Sequence, residues 1–327
     1  MIKGFVRACG ILGCSLVMVM PVFGGPVDRS AIISEPAWVA HLDADALRAS
    51  EVGKQLLVEM NKPEPALRFD VLAAAIGCDL RTALHGLTVY GVSSRPEDGV
   101  ALVFADINAE RLLTLAKQAE DYKSSAYGQD RVHSWIDAKK RARTGGSPRT
   151  YASIYDNRAI VFAQRESRLK EALDVLRKAK PALTDTTFPG FGTSEGGILQ
   201  ACARQLSIEG GDTRAAVLQM SKLTVLNVRE SQGKAQASVA LETGSEEAAQ
   251  QVGNIVRGII ALTALQTNNP AAVKLARSLS VEQSGTAATV QLSVGADEIV
   301  TAIKADAAKK EARKAEQENS DNGDAAR

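Results

Sequence analysis

Four times along this chain a β-prone run meets a turn and is answered by a second β-prone run. Leu87–Val92 and Val100–Ala105 flank Arg95-Pro96-Glu97-Asp98-Gly99, and Tyr151–Tyr155 and Ala159–Gln164 flank Asp156-Asn157. Further on, Leu223–Val228 and Ala235–Leu241 flank Gln232-Gly233, and Leu279–Gln283 and Ala287–Val294 flank Ser284-Gly285. Short connections of this chemistry reverse the chain and make neighbouring strands antiparallel. Helical patterns follow the hairpins. Asn108 caps one carrying Leu112, Leu113, Leu115 and Ala116; Glu166–Lys178 places Leu169, Ala172, Leu173 and Leu176 on one stripe; Ser245–Gln266 is long and apolar in its second half; Asp297 opens the last. At the front, Trp38–Leu42 reads as a strand. Asp43 or Asp45 then caps a helix to Met60, Pro63 and Pro65 end it, and a second helix runs near Phe69–Ile76. Single strands are expected at Arg131–Asp137 and Ile198–Ala203. The class is α+β: antiparallel sheets with helices packed on one face.

Leu87-Thr88-Val89 and Val92 match Leu223-Thr224-Val225 and Val228, and both runs lead into a turn, a strand and an amphipathic helix. The expectation is two related α+β halves, residues 30–183 and 198–305, joined by a Thr-, Gly- and Pro-rich linker at 184–197. A chance likeness of β-rich tetrads is the competing reading. Residues 306–327 read as a charged, partly disordered tail.

Residues 1–25 have the order of a secretory signal peptide: Lys3 and Arg7, an apolar stretch from Ala8 to Met20, then small residues, with Val22 and Gly24 suited to the positions before a cut. The apolar run is short for a membrane span and Pro21 follows it. Ile11-Leu12-Gly13-Cys14 looks like a lipid-attachment box but sits inside the apolar run rather than at its end. The expected location is therefore the periplasm or the extracellular space. Removing Lys3 and Arg7 turns a net charge of +1 into −1, so no overall field directs the protein to nucleic acid. Cleavage leaves Cys78 and Cys202. An oxidising compartment permits a disulfide between them, and two separate buried thiols is the reading favoured.

Coherent catalytic sets are missing. Gly192-Thr193-Ser194-Glu195-Gly196 has the spelling of a nucleophile elbow, but a strand-like run follows it and no histidine lies beyond Ser194. Ser167-Arg168-Leu169-Lys170 has the Ser-x-x-Lys spacing and Ser320-Asp321-Asn322 a second motif, without the Lys-Thr-Gly that would complete them. His41 with Asp43, and His133 with Trp135 and Asp137, share strand faces and could orient a general base, or sit as satisfied polar groups in a sheet. No ligand spacing supports a metal, and no cofactor is implied. The most unusual local feature is the loop 138–149, where Lys139, Lys140, Arg141, Arg143 and Arg149 could bind an anionic headgroup.

The run from Trp38 to Gly53, with Leu84–Gly91 and His133-Ser134-Trp135, resembles uncharacterised exported bacterial proteins of similar size. That resemblance implies an envelope or secreted protein and carries no activity, cofactor or catalytic residue. The function expected is non-enzymatic binding of an envelope partner or ligand. The alternatives are a carrier holding an apolar ligand in a groove against the 245–266 helix, and a hydrolase whose site matches no motif.

Overall fold

A computed structural model describes residues 25–138, 141, 146, 148–193, 196–205, 219–265 and 270–308. After a 3-10 turn at Arg29–Ala31 come β1 (Trp38–Asp43), α1 (Ala44–Ala49), α2 (Glu51–Met60), α3 (Pro63–Ile76), α4 (Leu80–Ala83), β2 (Leu84–Gly91) and, past a second 3-10 turn at Pro96–Asp98, β3 (Gly99–Ala105). Then follow α5 (Ala109–Lys117), β4 (Lys123–Tyr127), β5 (Asp130–Ile136), β6 (Arg149–Tyr155), β7 (Ala159–Ala163) and α6 (Glu166–Leu176). The second half holds β8 (Gly197–Arg204), β9 (Leu223–Ser231), β10 (Lys234–Glu242), α7 (Glu246–Ala264), α8 (Pro270–Arg277), β11 (Leu279–Ser284), β12 (Ala287–Gly295) and α9, a helix over 296–308.

The described strands form one antiparallel sheet in the order β11-β12-β10-β9-β8-β1-β2-β3-β7-β6-β5-β4. The turn residues explain the hairpins. Asp156 and Asn157 take φ of 47° and 54°, and Gln232 and Gly233 take 53° and 70°, the left-handed conformations that match the twist of paired strands. β4 escapes sequence reading because Lys123-Ser-Ser-Ala-Tyr127 carries almost no apolar alternation; it lies at the sheet edge, where polar residues discourage further pairing.

The helix expected from Asp43 to Met60 is two. Asp43 caps α1 by accepting from the Ala46 N–H, and Ser50, in extended conformation, caps α2 by accepting from the Gly53 N–H. Pro63 ends nothing: it sits in the first turn of α3, where its missing N–H has no intrahelical partner to lose. α3 buries none of its residues, and Leu67 and Val71 stand 65% and 63% exposed.

The helices divide between the two faces of the sheet. Along β7, Val161 joins the main core under α6, whose Leu169, Ala172, Leu173, Val175 and Leu176 are buried, while Ile160 and Phe162 point to the other face, toward α5. α7 lies on that second face too, with Val252 packed against Leu241 and Ala288.

β1 and β8 pair directly, so the sheet continues across the segment expected as a linker. Within 184–197, Phe188 and Phe191 are fully buried in the main core with their rings edge to face. Leu183 N–H donates to the Ile32 carbonyl and Thr187 Oγ1 to the Ser34 carbonyl, tying the segment to the start of the fold.

Connectivity outward from the central pair is the same in both directions: β1-β2-β3-β7-β6 on one side and β8-β9-β10-β12-β11 on the other. The tetrads that suggested the likeness do not occupy equivalent faces. Thr88 pairs with His41, His41 with Gln200, and Gln200 with Asn227. Cross-strand partners share a face, so Thr88 lies on the side of Asn227 and Val225 while Thr224 points to the opposite side.

Candidate functional site

α5 starts where the Asn108 side chain accepts from the Arg111 N–H. Its apolar residues, Leu112, Leu113, Leu115 and Ala116, face the sheet or its rim, yet no residue of the helix is buried. The helix stands off the sheet and leaves a groove of about 290 Å³. The floor is set by register: His133, Ala152 and Phe162 make one row across β5, β6 and β7, and Trp135 and the paired Ile154 and Ile160 extend it. Almost every lining side chain is hydrocarbon or aromatic, which suits the apolar part of a ligand.

The polar members of this wall are neutral. His133 stacks on Tyr122, and its Nδ1 shares a 2.7 Å hydrogen bond with the Tyr122 hydroxyl rather than facing a carboxylate. Burial, then the positive charges of Arg131 and Lys117, holds the imidazole below its ordinary value. His41 is likewise occupied. Its Nε2 lies 2.8 Å from the Gly25 carbonyl and its Nδ1 2.8 Å from Thr88 Oγ1. A carbonyl only accepts, so Nε2 carries the proton and Thr88 donates to Nδ1. Asp43 spends one oxygen on capping α1. Neither His–Asp pair on a strand face is arranged as a general base.

Other sequence candidates disperse. Lys170 Nζ pairs with Glu166 at 2.8 Å and lies over the Tyr127 ring, so it does not serve Ser167. Ser194, Glu195 and 320–322 fall outside the described residues, and the strand β8, not a helix, follows the elbow-like sequence. Both cysteines are free thiols; burial raises Cys78 and pushes Cys202 up to about 12, so neither is a ready nucleophile.

Of the basic loop, Arg141 pairs with Glu120, and Arg149 pairs with Asp121 and donates to the Asp121 carbonyl at 2.8 Å. Lys139, Lys140 and Arg143 lie outside the described residues. The loop joins β5 to β6, and the Ile136–Arg149 pair at its base is next to the pair that Trp135, a residue of the groove, makes with Thr150.

Among the described residues the 245–266 helix packs onto the sheet through its first half. Its small and β-branched residues, Ala249, Val252 and Gly253, close directly onto the sheet. A cavity of about 460 Å³ in that half lies on the opposite face and is polar, with Asn227, Arg229, Gln236, Ser238, Gln291 and Ser293 among its walls. A larger cleft of about 870 Å³ between α2, the start of α3 and α9 has apolar walls at Leu56, Ile299 and Ile303, but its rim carries the charged Glu59, Lys62 and Asp306 and helices alone form it. The groove under α5 was missed from sequence because its floor is built from alternate residues of three strands. The available signals were the breadth of the apolar band on so short a helix and Trp135 on a strand face.

Among the described residues no helix is long and apolar enough to cross a membrane. No family model matches the chain, and no curated protein matches it. Among solved structures it is similar to TP0453. Crystal form III has 9% identity and a TM-score of 0.47, covering 85% of this chain and 98% of that one. Crystal form IV has 7% identity and a TM-score of 0.45, with 85% and 97% covered.

Proposed function

We propose that this chain works outside the cytoplasm as a non-enzymatic binding protein, and that the groove under α5 holds the apolar part of an amphipathic ligand. The observation that carries this reading is the groove itself: a helix with four apolar side chains held off a sheet face on which Trp135, Ile154, Ile160 and Phe162 stand together. The basic loop at the end of the same strands offers Lys139, Lys140 and Arg143 to an anionic head. Export rests on the signal-peptide pattern of residues 1–25.

Trp135 gives the test its readout. Titration with palmitate is expected to change tryptophan emission saturably. Leu112→Ala and Ile160→Ala should each weaken binding about tenfold, since a lost buried aliphatic group is worth roughly 1.4 kcal/mol or more. Replacing Lys139, Lys140 and Arg143 by Ser should weaken palmitate while leaving hexadecanol unchanged. A titration without saturation, or one that Leu112→Ala leaves intact, rejects the groove.

A further inference from the structure

Gly25, the last residue of the signal-peptide pattern, would instead begin the processed chain if the cut falls after Gly24, the register in which Val22 and Gly24 occupy the small-residue positions; one residue later those positions would hold Phe23 and Gly25. In the structure Gly25 is buried and held at both ends of its backbone unit. Its N–H donates to the His85 carbonyl at 3.3 Å, and its carbonyl accepts from His41 Nε2 at 2.8 Å. His41 itself is only 2% exposed. Two carboxylates lie beside the Gly25 Cα, the atom that also carries the nitrogen: a Cβ placed on Gly25 would lie 3.7 Å from Asp45 Oδ2 and 3.9 Å from Asp43 Oδ2. Asp45 already pairs with Arg48 and His85. Asp43 is 5% exposed, uses Oδ1 to cap α1, and has no cationic partner among the described residues. Gly86 leaves the room: a Cβ there would come 3.6 Å from the Gly25 nitrogen.

We propose that Gly25 is the first residue of the working protein and that its α-ammonium is seated between Asp43 and Asp45. An export peptidase and water would break the Gly24–Gly25 bond. The hydroxyl of water goes to the Gly24 carboxyl, and the nitrogen takes up protons to become an ammonium. An amide with one N–H, committed to the His85 carbonyl, thereby becomes a cation with three, leaving two for the carboxylates. A buried carboxylate without a counter-charge is costly, and a counter-charge created in place removes that cost. Processing would in this way fasten the end of β1 to β2.

The inference rests on the export reading, and two measurements separate them. N-terminal sequencing of the protein secreted by its own host should find Gly25; any other first residue overturns the proposal. Thermal melting then compares the chain beginning at Gly25 with the same chain carrying Gly24 in front. The Gly25 form should melt on the order of 2–4 °C higher, the shift expected for a contribution of this kind in a chain of this size. Asp43→Asn keeps the helix cap and removes the charge, and should shrink that gap. An unchanged gap in Asp43→Asn, or no gap in the parent, overturns the seat even where the cut is at Gly25.

Discussion

His41 shows how a residue with catalytic potential becomes structural. Strand alternation put it on one face with Asp43, and that was legible in the sequence. Its hydrogen bonds to Thr88 and the Gly25 carbonyl involve residues distant in the chain, which no local pattern announces. Burial is the main cause that lowers its pKa, opposed in part by the Gly25 hydrogen bond and by Asp43. His133 is lowered in the same direction. Folded histidines with lowered values bind fewer protons than unfolded ones, so their contribution to stability is complete above about pH 6.5 and is lost as pH falls toward the folded values. Urea unfolding at pH 7.5 and pH 5 should show a lower midpoint at pH 5. His41→Gln should flatten part of that difference while costing about 1–3 kcal/mol at pH 7.5 through disturbed buried partners. An equal pH response in His41→Gln contradicts the assignment.

At the scale of elements, caps and turns were the most readable features and breaks the least. Asn108, Asp43 and the hairpin pairs act where the sequence placed them, because each works through its own backbone neighbours. The break at Ser50 depends on how α2 packs back on α1. A Cβ on Gly53 would fall on the Leu47 carbonyl, so Gly53→Ala must push the two helices apart. It should lower stability by about 1–3 kcal/mol or more. Gly258 in α7 is exposed with nothing near its Cβ position, so Gly258→Ala should raise stability by roughly 0.4–1 kcal/mol. Denaturant melts of the pair check both signs. The 184–197 segment is the opposite lesson: its composition reads as a tether, yet Phe188 and Phe191 are core residues. Phe188→Ala is expected to cost about 3–5 kcal/mol. A loss below about 1 kcal/mol in the same melts would show that the segment does not belong to the core.

At the scale of the molecule, the described strands make one sheet whose first five strands outward from β1 and from β8 follow the same order. The halves differ in what covers them. Around β3 and β7 one face carries α6 and the opposite face α5; in the second half α7 covers one face while the other holds the polar cavity of Asn227, Arg229 and Gln291. That asymmetry places the apolar groove in the first half.

The sequence by itself determined the α+β class, the antiparallel hairpins and most helix starts, because these follow from turn residues, caps and periodicity within a dozen positions. It did not determine which strands become neighbours, and a one-residue difference in phase reverses every side chain, as Thr88 and Thr224 show. Only the tertiary structure decided that Phe188 and Phe191 are core, that α5 stands off its sheet over Trp135 and Phe162, and that Gly25 meets Asp43 and His41. Those are contacts between residues far apart in the chain, and long-range packing, not local preference, selects them.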